Sequence, residues 1–265
     1  EKPALALQSP SVGGWKEVGR TTLGSAGDII DVSSLADKRY YMVLTDIIAS
    51  GAVGLRNQLG SSGSIDTGAN YGIRSSWNGG ADGNWANSNY MYGSGGSTSV
   101  NLFDVEYIAN LAGQEKLQYN WDVVNTATGA GTAPNRGENV GKWANTSNAI
   151  DILRQYNALG GDYATGSEVV VLGWDPADTH TTNFWEELAS VTADGTSTNL
   201  SSGTITAKKY LWVQCYSEGT SGDINVTLNN DTGSNYARRN QINGGADGTP
   251  NTSATSWNNV HNAGR

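Results

Sequence analysis

Asp104 and Glu106 stand two apart in Phe103-Asp-Val-Glu-Tyr107, a spacing that puts two carboxyls on one face of a β-strand. Glycoside hydrolysis uses such a pair, differently tuned and about 5–10 Å apart across the scissile bond. No third group is evident to orient or tune either acid, so the pair reads as the solvated face of a strand that buries Phe103, Val105 and Tyr107. A second stretch, Trp77-Asn-Gly-Gly-Ala-Asp-Gly-Asn-Trp85-Ala-Asn-Ser-Asn-Tyr90-Met-Tyr92, interleaves rings with amides and a carboxylate. Indole and phenol faces stack on the C–H faces of sugars while Asn and Asp bond the hydroxyls. Trp77, Trp85, Asn87, Asn89 and Tyr90 are therefore glycan-contact candidates, as is Trp257. The competing reading has Tyr90 and Tyr92 opening a strand and facing the core, which leaves Trp85 as the best exposed candidate.

A third constellation, Asn229-Asn-Asp231-Thr-Gly233-Ser-Asn235, spaces oxygen-bearing side chains around a glycine as a calcium loop does. Asn229, Asp231 and Asn235 would be the ligands; no cofactor is expected, calcium being the alternative at these residues. The closing bidentate Glu is missing, and the favoured reading is a hairpin whose Asx side chains cap the turn. Nucleophiles are few. Cys215 is the single cysteine, alternating with Val213 in what reads as an apolar strand, where a thiol is inert. Two histidines, His180 and His261, and no Gly-x-Ser-x-Gly elbow leave little room for a Ser–His–Asp arrangement. No enzymatic activity is expected.

Of the 265 residues, 15% are charged, against about 25% in an ordinary soluble domain. Glycine is abundant, at 35 residues, while 9 Trp and 12 Tyr argue against disorder. A net charge of −9 supplies no basic stripe for phosphates or anionic lipid, so neither nucleic acid nor membrane insertion is expected. One cysteine removes any disulfide framework. Glu1–Pro10 has neither a basic start nor a long apolar run, and the chain is expected to follow some upstream sequence.

Short strands must position these residues. Asp28–Val32, Tyr40–Ile48, Phe103–Tyr107, Ile150–Ile152 and Glu168–Trp174 carry the strand signals, with Tyr41, Val43, Phe103, Val105, Tyr107, Ile150, Ile152, Val169 and Val171 facing inward. Ser61–Asn70, Asn78–Asn89, Gly93–Ser99, Asn125–Gly137 and Ala158–Gly166 read as turns and loops. At most one helical turn is expected, in Asn183–Ala189. The pattern is all-β, an antiparallel sandwich or barrel.

The sequence also repeats itself. Trp15-Lys-Glu-Val and Leu35–Tyr40 match Trp185-Glu-Glu-Leu and Ile205–Tyr210 at an offset of 170 residues. Asp66-Thr-Gly-Ala-Asn-Tyr71 matches Asp231-Thr-Gly-Ser-Asn-Tyr236 at 165, and Asn78–Gly83 is identical to Asn243–Gly248. The difference of five falls within Asp46–Asp66. The organisation read from this is an extension over 1–14, a domain over 15–175, a linker over 176–182, and the N-terminal half of a second copy over 183–265. Strands equivalent to Phe103–Tyr107, Ile150–Ile152 and Val169–Val171 are missing from that copy. The chain is expected to continue past Arg265; the alternative is strand donation by a neighbouring subunit, burying Val213 and Val226.

Trp15–Thr22, Ser25–Ser34, Tyr40-Tyr-Met-Val-Leu, Asp66–Tyr71, Val105–Asn110, Gly141–Ile150 and Gly166–Gly173, in that order, resemble a domain of tailed-bacteriophage structural proteins found in tail-fibre and receptor-binding contexts. The resemblance implies a jelly-roll-type β-sandwich, here in tandem with the second copy incomplete, and no enzymatic activity. It also implies a virion-surface or extracellular place, other virion proteins and a host surface glycan as partners, and a homo-oligomer, a trimer by analogy. It transfers no individual binding residue. Two alternatives stay open, a head or tail decoration protein packing on the virion lattice and a secreted polysaccharide-binding or -degrading protein.

Overall fold

The computed structural model describes residues 14–178, 183–215, 222–241, 246–249 and 251–262. The extension before Gly14, His180, Asn243–Gly245 and Arg265 lie outside the described residues. Every strand pairing is antiparallel, and no helix occurs among the described residues. Fourteen strands fall before residue 175: β1 (Lys16–Thr22), β2 (Ile29–Ser33), β3 (Tyr40–Ser50), β4 (Val53–Ser61), β5 (Ser64–Ile65), β6 (Tyr71–Trp77), β7 (Gly83–Ser88), β8 (Met91–Thr98), β9 (Asn101–Ala109), β10 (Lys116–Val124), β11 (Asn135–Trp143), β12 (Ile152–Tyr156), β13 (Asp162–Tyr163) and β14 (Glu168–Trp174). They form a large sheet in the order β1-β14-β3-β9-β10-β11-β6-β7, with β13 on β3, and a small sheet β2-β12-β4-β5, with β8 on β4. After residue 221 come two separate ribbons, β15 (Gly222–Val226) with β18 (Trp257–Asn262), and β16 (Tyr236–Arg238) with β17 (Asn251–Ala254).

The two sheets enclose one apolar core. Val43, Val169 and Val171 from the large sheet meet Ile30, Leu55, Leu59 and Leu153 from the small one, and each such side chain contributes about 1.5–3 kcal/mol by leaving water. Tyr41, Val43, Ile150, Ile152, Val169 and Val171 are buried as their alternation predicts. β9 corrects the rest of that set. Phe103 and Tyr107 are 38% and 40% exposed and Val105 is half-buried, whereas Leu102, Asp104, Glu106 and Ile108 point into the sandwich. Alternation fixes the period of a strand and leaves its phase open, and a one-residue change of phase moves every side chain to the other face.

Val169–Leu172 are buried on both faces because the sheet carries a third layer there. Met42, Leu44, Val170 and Leu172 on its outer side are covered by Trp15, Phe184, Trp185 and Tyr210. Residues 183–215 run over the sheet without strand or helix, tethered where the Phe184 N–H donates to the Trp15 carbonyl (2.7 Å). The turn expected in Asn183–Ala189 is therefore not helical. Nor is Val213–Cys215 a buried strand, since Cys215 is exposed and Val213 is 65% exposed. The stretches read as turns and loops contain β5, β7, β13 and most of β8, because cross-strand partners in β4, β6 and β3 satisfy their backbones.

Candidate functional site

The outer face of the small sheet carries a transverse row. Register places Ile29 beside Tyr156, Tyr156 beside Arg56 and Arg56 beside Tyr92, one residue from each of β2, β12, β4 and β8. The Arg56 guanidinium lies over the Tyr90 ring at 4.2 Å and near Tyr92 at 5.9 Å, within cation–π range. Tyr90 meets Tyr92 edge-on at 5.5 Å, and Trp85 meets Tyr92 edge-on at 5.2 Å. Trp85 comes from β7, the edge of the large sheet, so the cluster spans both sheets. Its ring folds back over Gly83, where a Cβ would sit 2.5 Å from an indole carbon and displace the ring.

Among the described residues no carboxylate pairs with Arg56, although Asp31 and Arg154, the next outward pair along β2 and β12, form a bidentate pair at 2.7 Å. Stacking fixes the plane of the Arg56 guanidinium and leaves its N–H groups for a ligand. The Tyr92 hydroxyl is pushed up to about 12 by burial and by Tyr90 beside it, so it stays protonated. The row offers flat rings, phenol hydroxyls and one guanidinium on a rigid sheet.

Of the residues singled out from sequence, Trp85 (43% exposed) and the half-buried Tyr90 belong to this cluster. Asn87 and Asn89 are exposed beside it; Asn87 adopts φ +52°, and the Asn89 carbonyl accepts from Gln58 Nε2 at 2.8 Å. Trp77 is turned inward against the core, so it is corrected from a contact to a packing residue. Trp257 lies in the β15–β18 ribbon, stacked edge-on with Tyr236 and donating to the Ala237 carbonyl, apart from the row. Arg56, Tyr156 and Ile29 were missed. Each sits at an outward alternating position, but only cross-strand register brings the four strands together.

Comparisons with protein-family models, with curated proteins and with solved structures find no match. No family is shown.

Asp231, the centre of the calcium candidate, accepts from the Gly233 N–H at 2.8 Å and from Asn235 Nδ2 at 2.9 Å, while Asn229 takes a positive φ of 53°. The carboxylate faces donors, which makes the segment an Asx turn. Asp66 does the same with Gly68 N–H and Asn70 Nδ2, at matching distances. Tyr71 and Tyr236 each donate back to the carbonyl of that aspartate, at 2.8 and 2.9 Å. Asp66 also accepts from Trp143 Nε1 at 2.7 Å. Though partial burial opposes it, these three donors hold the Asp66 carboxyl below its ordinary range.

The acid pair is neither solvated nor open to substrate. Asp104 and Glu106 are fully buried, as are Asn57, Asn120 and Gln155. Glu106 accepts from Gln118 Nε2 at 2.9 Å and from the amides of Asn57 and Gln155; Asp104 accepts from Asn120 Nδ2 at 2.8 Å. Asp122 accepts from Asn139 Nδ2 at 3.0 Å and lies over Gly137, where a Cβ would come within 2.0 Å of its oxygen. Burial, then the neighbouring Glu106, raises Asp104 well above the carboxylate range, and burial raises Glu106 as well. This is a polar layer inside the sandwich, closed to any polymer.

Proposed function

We propose that this chain is a non-enzymatic structural module of a bacteriophage appendage, a tail-fibre or receptor-binding subunit. Its jelly-roll-type sandwich, carried in tandem, presents a saccharide-binding surface to the host cell. The observation that carries the binding half is the row of Tyr156, Arg56 and Tyr92 with Trp85 and Tyr90 upon it. Aromatic planes flanking a fixed guanidinium suit the alternating apolar faces and hydroxyl or carboxylate edges of a sugar chain. The sealed position of Asp104 and Glu106 supports a role without catalysis. The appendage half rests on the ordered run of motifs from Trp15 to Gly173.

An array of bacterial surface polysaccharides tests it. Trp85→Ala is expected to weaken binding about 5- to 100-fold, by analogy with aromatic stacking on bases. Arg56→Lys is expected to weaken it too, since it keeps the charge and loses the planar fork. Binding unchanged in both variants with the fold intact would remove this surface from the function. A second reading, a virion decoration protein packing on a lattice, draws on a separate observation, the aromatic outer face of β9, β10 and β11.

A further inference from the structure

β9 and β10 are built inside out. Lys116, Gln118, Asn120 and Asp122 point into the sandwich, and Leu117, Trp121 and Val123 point outward, with 46–56% of each exposed. Register makes the outward positions one surface: Phe103 beside Val123, Val105 beside Trp121, Tyr107 beside Tyr119, and Tyr119 beside Val140. On the adjoining strands β3 and β14 the same outer face is already an interface, covered by Phe184, Trp185 and Tyr210. The Tyr210 ring stacks on Phe103 at 6.1 Å, which marks where the cover ends. Beyond it the covering segment exposes Leu211, Trp212 and Val213, and a groove of about 370 Å³ separates that ridge from Phe103, Val105 and Tyr107.

We infer that this face, from Phe103 and Tyr107 across Trp121 to Val140, docks a second copy of the chain. Three observations select that occupant. The first is area: with an aromatic side chain carrying about 150–250 Å², the exposed fractions of this face together with those of Leu211, Trp212 and Val213 amount to roughly 800 Å². That is the share each partner gives to a standard interface of about 1,600 Å², and more than the roughly 300–600 Å² patch of a typical monomer. The second is continuity with a surface this chain already covers with its own residues. The third is the rim. Along β11 Arg136 pairs with Asp247 at 2.6 Å and Lys142 with Glu115 at 2.9 Å, and Asp46 pairs with Lys209 at 3.3 Å on the opposite side. Mixed signs suit a self-complementary contact, in which one patch meets its own image, better than a partner of one charge. Ridge Leu211–Val213 and the neighbouring groove are the two shapes such an image would exchange.

Sedimentation velocity of the full chain from about 10 nM to about 100 µM tests the inference, since interfaces of this size span micromolar to tighter affinities. The mass is expected to rise from 27.9 kDa to twice that value with concentration. Trp121→Glu and, separately, Leu117→Lys should weaken association at least tenfold with the melting transition retained, while Trp85→Ala leaves it unchanged. Two independent outward variants keep the test valid if one fails to fold. A mass fixed at 27.9 kDa at every concentration overturns the proposal. So does an oligomer indifferent to both substitutions, or one that added salt dissolves. None of these outcomes bears on the proposed glycan contact, which lies on the outer face of the small sheet with Trp85 from edge strand β7.

Discussion

The large sheet is one hydrogen-bonded layer with two unlike halves. In β3 and β14 the inner face is mostly apolar, the outer face is apolar, and a third layer from residues 183–215 closes the outside. In β9 and β10 carboxyls and amides fill the inner face and aromatics stand outside. Val43 and Glu106 are register partners on that inner surface, yet one is held by dispersion and the other by three amides. A strand pair can thus be buried by polar groups that bond one another as well as by excluding water, although Asn57 Oδ1, Asn120 Oδ1 and Gln155 Oε1 in this layer have no hydrogen-bond partner among the described residues. The outer face of one half is covered by the chain's own residues 183–215, while the other half exposes its rings.

The sharpest test compares those register partners. Glu106→Ala is expected to lower stability by about 3–5 kcal/mol, because it orphans the amides of Asn57, Gln118 and Gln155 in a closed interior. Val43→Ala, which leaves only a small cavity, is expected to cost about 2 kcal/mol. Urea midpoints at constant slope measure both. Equal losses would mean that the polar layer is held no more tightly than ordinary core.

Next in size is the cover. Tyr210 packs on Met42 and Leu44, stacks on Phe103 and donates to Glu168 at 3.0 Å. Tyr210→Ala is expected to cost about 2 kcal/mol, with increased hydrogen exchange along 205–215. Trp121→Ala, on the uncovered half, should stay within about 0.5 kcal/mol in dilute solution. If the two variants lose the same amount, the distinction between covered and open halves fails.

The smallest effect separates the halves by pH. Asp104, raised in the folded state by burial and by Glu106, keeps a proton that the unfolded chain releases near pH 3.9. Its contribution is therefore full below that pH and is lost as pH climbs through the folded value. Glu168 on β14 runs the other way. Burial opposes its ionisation, but bonds from Thr22, Arg20, Tyr210 and Lys209 hold it at about 2. Its contribution is present above the unfolded value of about 4.3 and disappears as pH falls through 2. Melting temperatures against pH should lose the alkaline decline in Asp104→Asn and the acid decline in Glu168→Gln. A profile that either substitution leaves unaltered contradicts the assignment.

The fold class was legible because Glu168–Trp174 and Tyr40–Ile48 can only be strands, and the turns between them are written in Gly, Asn and Asp. The phase of β9 was not. Phe103, Val105 and Tyr107 look like core, and nothing within Phe103–Tyr107 discloses that Asn57, Gln118 and Gln155 wait on neighbouring strands to receive Glu106. Lys116-Leu-Gln-Tyr-Asn-Trp-Asp in β10 carries the same alternation, and the two strands read together would have raised the inverted reading. At the candidate site Trp85 and Tyr90 were visible as exposed aromatic chemistry. Arg56 and Tyr156 were not, since they lie 29 and 71 residues away from Trp85 in sequence and become neighbours of the cluster only through sheet register.

The Asp-Thr-Gly-x-Asn-Tyr turns carry a consequence for how the chain folds. In both, the bonds run from Gly68 or Gly233, Asn70 or Asn235, and Tyr71 or Tyr236 to an aspartate two, four and five residues earlier. Closing so short a loop takes tens of nanoseconds and little entropy, whereas pairing β1 with β14 joins residues some 150 apart. The turn can therefore form before either sheet exists. It also keeps its shape at Asp231, which leads into the two-stranded ribbon of β16 and β17. Such a unit carries its own folding instructions wherever it is copied, and its register with the following tyrosine comes with it.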